Sequence, residues 1–241
     1  MIPLNKLYEY PTSTRALYNG ERMYDVGKDK LPSVTTILAA TQSQEKQASL
    51  AAWRFKLKDR FITLPDGTLI NEAEYITHEA AARGTTMHTI LEGYILGQNH
   101  VDMTNLGEQA HLMAQQIIDK GLHNRLTEIW GSEVVLYYPE LYAGATDTVG
   151  IYDGTEAIVD FKQSNKAKRR EWIGDYKLQL AAYALAHNEI YGTNIQKGVN
   201  LICTKDNLYQ EFIFEGEEFR QAKFEWLARV SLYYKNKGAT I

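Results

Sequence analysis

Two apolar runs in the middle of the chain carry charged residues where a buried strand normally has none. The first run (142–152) contains Asp147. The second (156–161) contains Asp160 near its end and is followed directly by Lys162. Asp153-Gly154 between them is a strong signal for a two-residue hairpin turn. A hairpin centred on this turn places Asp160 opposite Asp147, with Cβ atoms roughly 4.5–5.5 Å apart.

Two opposed carboxylates repel each other unless a positive group lies between them. A divalent cation is the simplest candidate, because Mg²⁺ takes oxygen ligands and is usually held by one or two carboxylates together with a substrate phosphate. Lys162 shares a strand face with Asp160, so its ammonium could orient or deprotonate a water and neutralise charge on a phosphate. The alternative is a surface Asp–Lys pair at a strand end.

The composition is that of an ordinary globular protein. The chain has 241 residues, of which 44% are hydrophobic and 23% charged, enough for one large domain or two small ones. We find no internal repeat and no low-complexity linker, so we predict a single domain over 1–241. Its parts are a mainly helical region (1–130), a catalytic sheet and helix (131–214) and a closing helix (215–241).

Charge and cysteine content limit the possible partners. The net charge of −4 gives no general attraction to nucleic acid, so a polyanion would have to bind through local patches or a metal. Cys203 is the single cysteine, which argues against a disulfide framework, a cysteine zinc site or an iron–sulfur cluster. The N-terminus does not resemble a signal peptide and no apolar run is long enough to span a bilayer. We therefore expect a cytoplasmic protein without a membrane partner.

Hydrophobic periodicity and turn signals predict a mixture of helices and strands, which indicates an α/β (α+β) protein. The sequence predicts a strand at 22–26, a helix that begins near Ser33, and a hairpin around 65–67. Further strands are expected at 131–138, 196–204 and 208–214. Helices are expected at 44–60, 71–96, 105–128, 171–191 and 215–235.

The helix predicted at 71–96 places Gly84, His88 and Glu92 on one face at i, i+4 and i+8. A glycine inside a helix costs about 1 kcal/mol relative to alanine, which suggests that another backbone or a ligand comes close there. His88 is either a packed or capping residue or a ligand for metal or phosphate. Glu133, near the start of the strand at 131–138, is either a metal-site acid or an ordinary strand-edge charge, and we slightly favour the latter.

Several further residues are candidates for substrate contacts. Hydroxyls at the start of the first helix could bind phosphate, although helix capping is the favoured interpretation. A basic run after Lys162 is either a solvated loop or the path of a phosphate backbone. The helix that follows could present aromatic and amide groups to a nucleotide, or these groups could be ordinary core or surface residues. The candidates are Ser33, Thr35, Lys166, Lys168, Arg169, Tyr176, Gln179 and Tyr183.

Four short motifs, in this order, resemble the RecB-like exonuclease branch of the PD-(D/E)XK nuclease superfamily. They are G-x-x-x-H (84–88), G-x-x-D (144–147), D-x-K (160–162) and Q-x-x-x-Y (179–183). The resemblance covers about residues 22–235. The segments LPSVTTIL and RGTTMH also resemble phage exonucleases and mitochondrial genome maintenance exonucleases, and a phage-type enzyme is favoured.

This resemblance implies a restriction-endonuclease-like core, in which helices flank a mixed central sheet, with an N-terminal helical extension. It also implies that His88, Asp147 and Asp160 ligate Mg²⁺ or Mn²⁺, with the carbonyl of Phe161 as a further oxygen. Lys162 would position the attacking water. Asp160 stands where many members have glutamate. The cysteines that hold an iron–sulfur cluster in some relatives are missing.

The resemblance further implies that Gln179 and Tyr183 contact the substrate. The expected function is metal-dependent DNA exonuclease activity in DNA degradation, replication or recombination. The expected substrate is DNA, either single-stranded or with a free end, in the cytoplasm of a phage-infected bacterium. Alternatives are a catalytically inactive nucleic-acid-binding protein on the same scaffold, or a restriction or structure-specific endonuclease. The oligomeric state, including a ring-shaped trimer, stays open.

Overall fold

The computed structural model of the protein describes residues 2–98 and 100–239. Near the N-terminus, β1 (Thr14–Tyr18), β2 (Glu21–Val26) and β3 (Asp29–Pro32) form an antiparallel sheet. The helix α1 (Val34–Ala40) begins as predicted, with the Ser33 side chain accepting the N–H of Thr36. The expected helical extension is therefore preceded by a small sheet. Its polar outer strands, β1 and β3, lack the apolar alternation that predicts strands.

The next segment builds one side of the molecule. It contains α2 (Gln44–Lys56), the hairpin strands β4 (Phe61–Thr63) and β5 (Leu69–Asn71), and the long helix α3 (Glu72–Leu96). The side chain of Asn71 caps α3 by accepting the N–H of Ala73. The hairpin around residues 65–67 and the long helix agree with the prediction from sequence.

The helix predicted at 105–128 is too long at its C-terminal end. α4 (Asn105–Ile117) is followed by one π-helical turn (Ile118–Leu122), and the next strand begins at Leu126. A Cβ on Gly121 would lie 2.8 Å from the Tyr209 hydroxyl, and Asn124 has φ of 60°. The helix therefore stops where it meets the sheet, and a left-handed residue turns the chain into the strand.

The central sheet contains β6 (Leu126–Tyr138), β7 (Tyr142–Tyr152), β8 (Thr155–Ser164), β9 (Lys197–Thr204) and β10 (Tyr209–Glu215). Its order is β10-β9-β8-β7-β6. Only the β8–β9 pair is parallel, because α5 (Gly174–Tyr191) connects these strands as a crossover. The helix α6 (Gly216–Asn236) completes the chain. The predicted mixed sheet with flanking helices is confirmed.

The hairpin register also matches the prediction. β7 and β8 pair from Tyr152↔Thr155 to Thr148↔Val159 around Asp153-Gly154. Asp153 has φ of 47° and Gly154 has φ of 77°, the positive values that a type I′ turn requires. One further step along both strands reaches Asp147 and Asp160.

Two hydrophobic cores cover the two faces of the sheet. One contains residues of α1, α5 and α6, including Trp226, and the other contains residues of α3 and α4, including Met87. Neighbouring residues of β8 alternate between them, since Ile158 lies in the first core and Val159 in the second. Burial on both faces explains why these strands read as nearly continuous apolar runs.

Among the described helices, none has the length and apolar character needed to cross a membrane.

Candidate active site

A cavity of about 700 Å³ opens where β7 and β8 stop pairing, and Asp147, Asp160 and Lys162 all line it. Because side chains alternate along a strand, Asp160 and Lys162 share the face of β8 that also carries Ile158. The structure therefore brings the two acids and the amine to one patch, as the hairpin register predicted.

Asp147 is held between a backbone amide and a histidine. Its Oδ2 accepts the N–H of Phe161 at 2.6 Å, and its Oδ1 lies 3.3 Å from Nδ1 of His88 on α3. Burial opposes ionisation, but the charges of His88 and Lys162 outweigh it and hold the pKa of Asp147 below its usual value. Burial also disfavours the imidazolium, yet Asp147 raises the pKa of His88 overall. The lowered pKa of Asp147 therefore favours an ionised carboxylate beside His88.

Asp160 makes its contacts on the other side. Lys162 Nζ lies 2.8 Å from Asp160 Oδ1 and 2.7 Å from Oδ2. Asn200, the parallel neighbour of Asp160 on β9, donates from Nδ2 to Oδ2 at 3.0 Å. Burial raises the pKa of Asp160 to about 6, although Lys162 acts in the opposite direction. Burial disfavours the ammonium of Lys162, but the two aspartates raise its pKa overall, so in this state the amine is a donor and not a base.

In the structure, Glu133 lies in this cavity beside His88 and Asp147, although the sequence slightly favoured an ordinary strand-edge charge. It lies opposite Asp147, between the pairs Ser132↔Thr148 and Val134↔Thr146, and it lines the cavity. Its φ of 52° lies in the left-handed region, which is uncommon for a glutamate within a strand and is one of the strained conformations that cluster at functional sites. Burial, followed by the charge of Asp147, raises the pKa of Glu133 to about 7.

The donor set fits a divalent cation. His88, Glu133 and Asp147 each offer a ligand atom, and these atoms lie within 4.8 Å of one another. Carboxylates with an imidazole suit Mg²⁺ or Mn²⁺. Burial and then the charge of Asp147 raise the pKa of Glu133, and a bound cation would favour its ionised, ligating form. Asp160, which the resemblance placed among the ligands, lies in the same cavity with both oxygens directed to Lys162 and Asn200.

Two motif glycines allow helices to approach the sheet closely. A Cβ on Gly84 of α3 would lie 3.1 Å from Cγ of Gln163, directly after Lys162. A Cβ on Gly144 of β7 would lie 2.9 Å from the ring of Tyr183 on α5. The close approach inferred for Gly84 thus involves a side chain of β8, and Gly144 and Tyr183 form one packing contact.

The α5 residues lie around the same centre. Gln179 Nε2 donates to the Tyr183 hydroxyl at 3.1 Å, and both residues line the cavity. Tyr183 is only 3% exposed, so its ring is largely a packing element and its hydroxyl is the part near the cavity. Tyr176 lies with its ring centroid 5.3 Å from Lys162 Nζ, which is within the range of a cation–π contact.

The N-terminal sheet and α1 form the opposite wall. Ser33 is buried, and its Oγ accepts the N–H of Thr36 at 2.9 Å, so it acts as the helix cap. Thr35 is exposed and lines the cavity. Arg15 and Arg22, which the sequence did not single out, line it as well. Their strands lie in a polar region where no motif drew attention to them.

The basic run after Lys162 divides into two parts. Lys166 and Lys168 line a neighbouring cleft of about 640 Å³. Arg169 lies instead with its guanidinium 5.0 Å from the ring centroid of Trp172. The structure therefore brings two of the three predicted basic residues towards the site and leaves Arg169 on a separate exposed surface.

No protein-family model matches the chain. Among curated proteins, it is 29% identical over 218 residues to mitochondrial genome maintenance exonuclease 1 of Mus musculus. The aligned region covers 86% of this chain and 60% of the mouse protein. The Homo sapiens protein of the same name is 25% identical over 218 residues, with 87% of this chain and 60% of that protein covered. The chain thus spans about 60% of the length of these relatives.

Among solved structures, a candidate exonuclease of Eubacterium rectale overlaps 62% of this chain and 64% of its own, with a TM-score of 0.46 and 15% identity. The sequence relationship to the mouse and human proteins confirms the resemblance that the four motifs predicted. It is consistent with the PD-(D/E)XK exonuclease family.

Proposed function

From its homology to the mitochondrial genome maintenance exonucleases, we propose that the chain is a metal-dependent DNA exonuclease. The observation that carries this proposal is the single cavity that joins Asp147, Asp160 and Lys162 to His88 and Glu133. Two or more acids around one amine, beside a histidine, suit phosphodiester hydrolysis and have no evident structural purpose, since buried like charges destabilise a fold.

His88, Glu133 and Asp147 would hold the cation, with Asp160 and the Phe161 carbonyl beside them. Bound Mg²⁺ or Mn²⁺ supplies a polarised phosphate, a water of lowered pKa and support for the leaving oxygen. The chain's own contribution is to orient the carboxylates that face the cation and the substrate. Asp147 is fixed by the Phe161 N–H, and Asp160 by Lys162 and Asn200.

Lys162 is proposed to position the attacking water and to neutralise charge on the phosphate in the transition state. The two aspartates raise its pKa, which favours hydrogen-bond donation. Gln179, Tyr183, Thr35 and Ser33 are proposed to contact the DNA from the walls of the cavity. Among these, Thr35 has the most exposed side chain.

The finer parts of the proposal rest on the motif resemblance. They are a phage-type enzyme in the host cytoplasm, Mg²⁺ or Mn²⁺ as the cofactor without an iron–sulfur cluster, and a role in degradation, replication or recombination. The proposed substrate is DNA that is single-stranded or has a free end. A single domain over residues 1–241 is likewise a proposal.

End-labelled linear DNA and closed circular DNA, each incubated with Mg²⁺ or Mn²⁺, test the activity. An exonuclease degrades the linear DNA and leaves the circle intact. Cleavage of circles would favour the endonuclease, and no cleavage of either DNA, with binding retained, would favour an inactive binding protein.

Lys162→Ala is the sharpest variant. We expect cleavage to fall by roughly 10³-fold or more, because the variant loses a charge that acts in the transition state, while DNA binding stays within about a factor of three. Rates on labelled linear DNA and anisotropy in EDTA measure the two effects. Lys235→Ala, an exposed lysine on α6, is the matched control. Full activity in Lys162→Ala would remove this residue from the mechanism.

A further inference from the structure

A second cleft lies directly beside the active-site cavity. It has a volume of about 640 Å³ and is lined by Lys166, Lys168, Lys205, Tyr176 and Trp53. Gln163, the residue after Lys162, lines both spaces. The two spaces therefore lie side by side, with Gln163 between them.

The cleft is positively charged. Lys166 and Lys168 come from the loop after β8, and Lys205 comes from the turn between β9 and β10. Glu79 also lines the cleft, but its carboxylate lies 3.7 Å from the buried guanidinium of Arg83. Three lysines from two separate segments thus face one space, which suits a ligand with repeated negative charge.

The cleft also has aromatic walls. Trp53 lies on α2, a helix that contributes no fully buried residue, so the indole is half-buried in the cleft and is not part of a core. Tyr176 comes from α5 on the other side, near Lys162. Aromatic rings interleaved with lysines provide stacking for unpaired bases and ion pairs for their phosphates, whereas a duplex keeps its bases inside.

We propose that this cleft binds single-stranded DNA next to the scissile phosphate, with Trp53 as a base-stacking platform and Lys205 as a phosphate contact. The inference rests on the proposed nuclease function. It assigns the cleft as the binding site for the DNA segment on one side of the scissile phosphate. It adds α2 and the β9–β10 turn, neither of which carries a motif residue, to the DNA-binding surface.

Anisotropy of a labelled oligothymidine tests the stacking platform. The oligomer has about twelve nucleotides, within the usual single-strand site sizes, and EDTA prevents turnover. We expect Trp53→Ala to weaken binding about 5-fold to 150-fold, which corresponds to the loss of one stacked base. Phe55→Ala is the matched control, because Phe55 lies on the same helix, is 69% exposed and does not line the cleft. Equal affinity of Trp53→Ala and the unmodified protein would overturn the proposal.

A duplex of the same length tests strand preference. The unmodified protein should bind the duplex more weakly than the single strand. Trp53→Ala should weaken single-strand binding but leave duplex binding unchanged. If the substitution weakened duplex and single-strand binding by the same factor, stacking on unpaired bases would be excluded.

Salt dependence tests the phosphate contact. Between about 50 and 200 mM salt, Lys205→Ala should reduce the slope of log K against log salt by about 0.7, the value for one single-strand phosphate. Lys235→Ala should leave the slope unchanged. An unchanged slope in Lys205→Ala would overturn the assignment of this lysine.

Cleavage and binding separate the two proposals. If the protein cleaves DNA and Trp53→Ala binds and cleaves normally, the cleft assignment fails and the nuclease function stands. If the unmodified protein does not cleave with Mn²⁺ but Trp53→Ala loses single-strand affinity, the nuclease function fails and the cleft still binds single strands.

Discussion

The site is built from a row of polar side chains on four neighbouring strands. Glu133, Asp147, Asp160 and Asn200 lie side by side across β6, β7, β8 and β9, as the pairs around them require. Their neighbours along the strands are apolar or small, so each acid is partly or fully buried. Burial raises the pKa values of Glu133 and Asp160, and repulsion from the charge of Asp147 raises them further.

Glu133→Gln tests the added acid. We expect Mn²⁺ affinity to fall about tenfold or more, as measured by calorimetric titration. Because the folded pKa of about 7 exceeds the usual value, ionisation of Glu133 destabilises the fold as pH rises through 7. The metal-free variant should therefore melt about 2–4 °C higher at roughly pH 8, and this gain should vanish near pH 4.

The control for this prediction is Glu171→Gln, which changes an exposed glutamate and should alter neither property. Unchanged Mn²⁺ affinity together with equal melting temperatures at both pH values would exclude Glu133 from the site.

Asn200→Leu tests whether the amide positions Asp160. Asn200 is fully buried, and its Nδ2 bonds Asp160. Loss of this bond should free the carboxylate to rotate and lower kcat about 10-fold to 100-fold with little change in KM. Thr148→Val is the control, since Thr148 is also buried and its hydroxyl has no partner among the described residues. Equal loss of kcat in both variants would indicate a general packing defect.

At the scale of elements, the approach of helices to strands decides where the site forms. α3 brings His88 to β7 because Gly84 leaves room for Gln163. On the other face, the N-terminal segment is fastened to α5 by aromatic contacts. Tyr8 lies 4.9 Å from His187 and 5.0 Å from Tyr191, between ring centroids. This packing supports the helix that carries Gln179 and Tyr183.

His187 makes this packing sensitive to acid. Burial lowers its pKa to about 4, so the folded protein keeps it neutral while the unfolded chain takes up a proton below about pH 6.5. The contribution of neutral His187 to the stability of the fold is therefore complete above pH 6.5 and is lost as pH falls towards 4. Between pH 7 and 4.5, the free energy of unfolding measured in urea should fall by ~1–3 kcal/mol less in His187→Gln than in the unmodified protein. His78→Gln, an exposed histidine, should behave like the unmodified protein.

At the scale of the whole molecule, two cores share one sheet. Strands β8 and β9 contribute alternate residues to each core, such as Ile202 to one and Leu201 to the other. Because the same strands belong to both cores, loss of packing in one core would remove the support on which the other core packs. Residues 1–130 and 131–241 therefore depend on each other for burial.

This arrangement predicts one cooperative unfolding transition for residues 1–241. Far-ultraviolet circular dichroism and tryptophan fluorescence should give the same midpoint, and the calorimetric enthalpy should equal the van't Hoff enthalpy. Trp130 and Trp226 report on the first core. Two resolved transitions would contradict the single-domain proposal.

The sequence by itself determined the features that depend on near neighbours. Asp153-Gly154 and strand alternation specify the β7–β8 register, and this register is sufficient to place Asp147, Asp160 and Lys162 together. Ser33 as a helix cap followed from local signals in the same way, whereas the mixed sheet with flanking helices was implied by the resemblance of the four motifs.

Only the tertiary structure decided which distant residues join that hairpin. Glu133 reaches Asp147 through the β6–β7 pairing, and Asn200 reaches Asp160 through a parallel pairing that depends on the α5 crossover. Trp53 and Lys205 line one cleft, and Gly121 in the π-helical turn after α4 packs closely against Tyr209 of β10. Turn and alternation signals act over a few residues, whereas strand order and helix docking depend on burial summed over the whole chain.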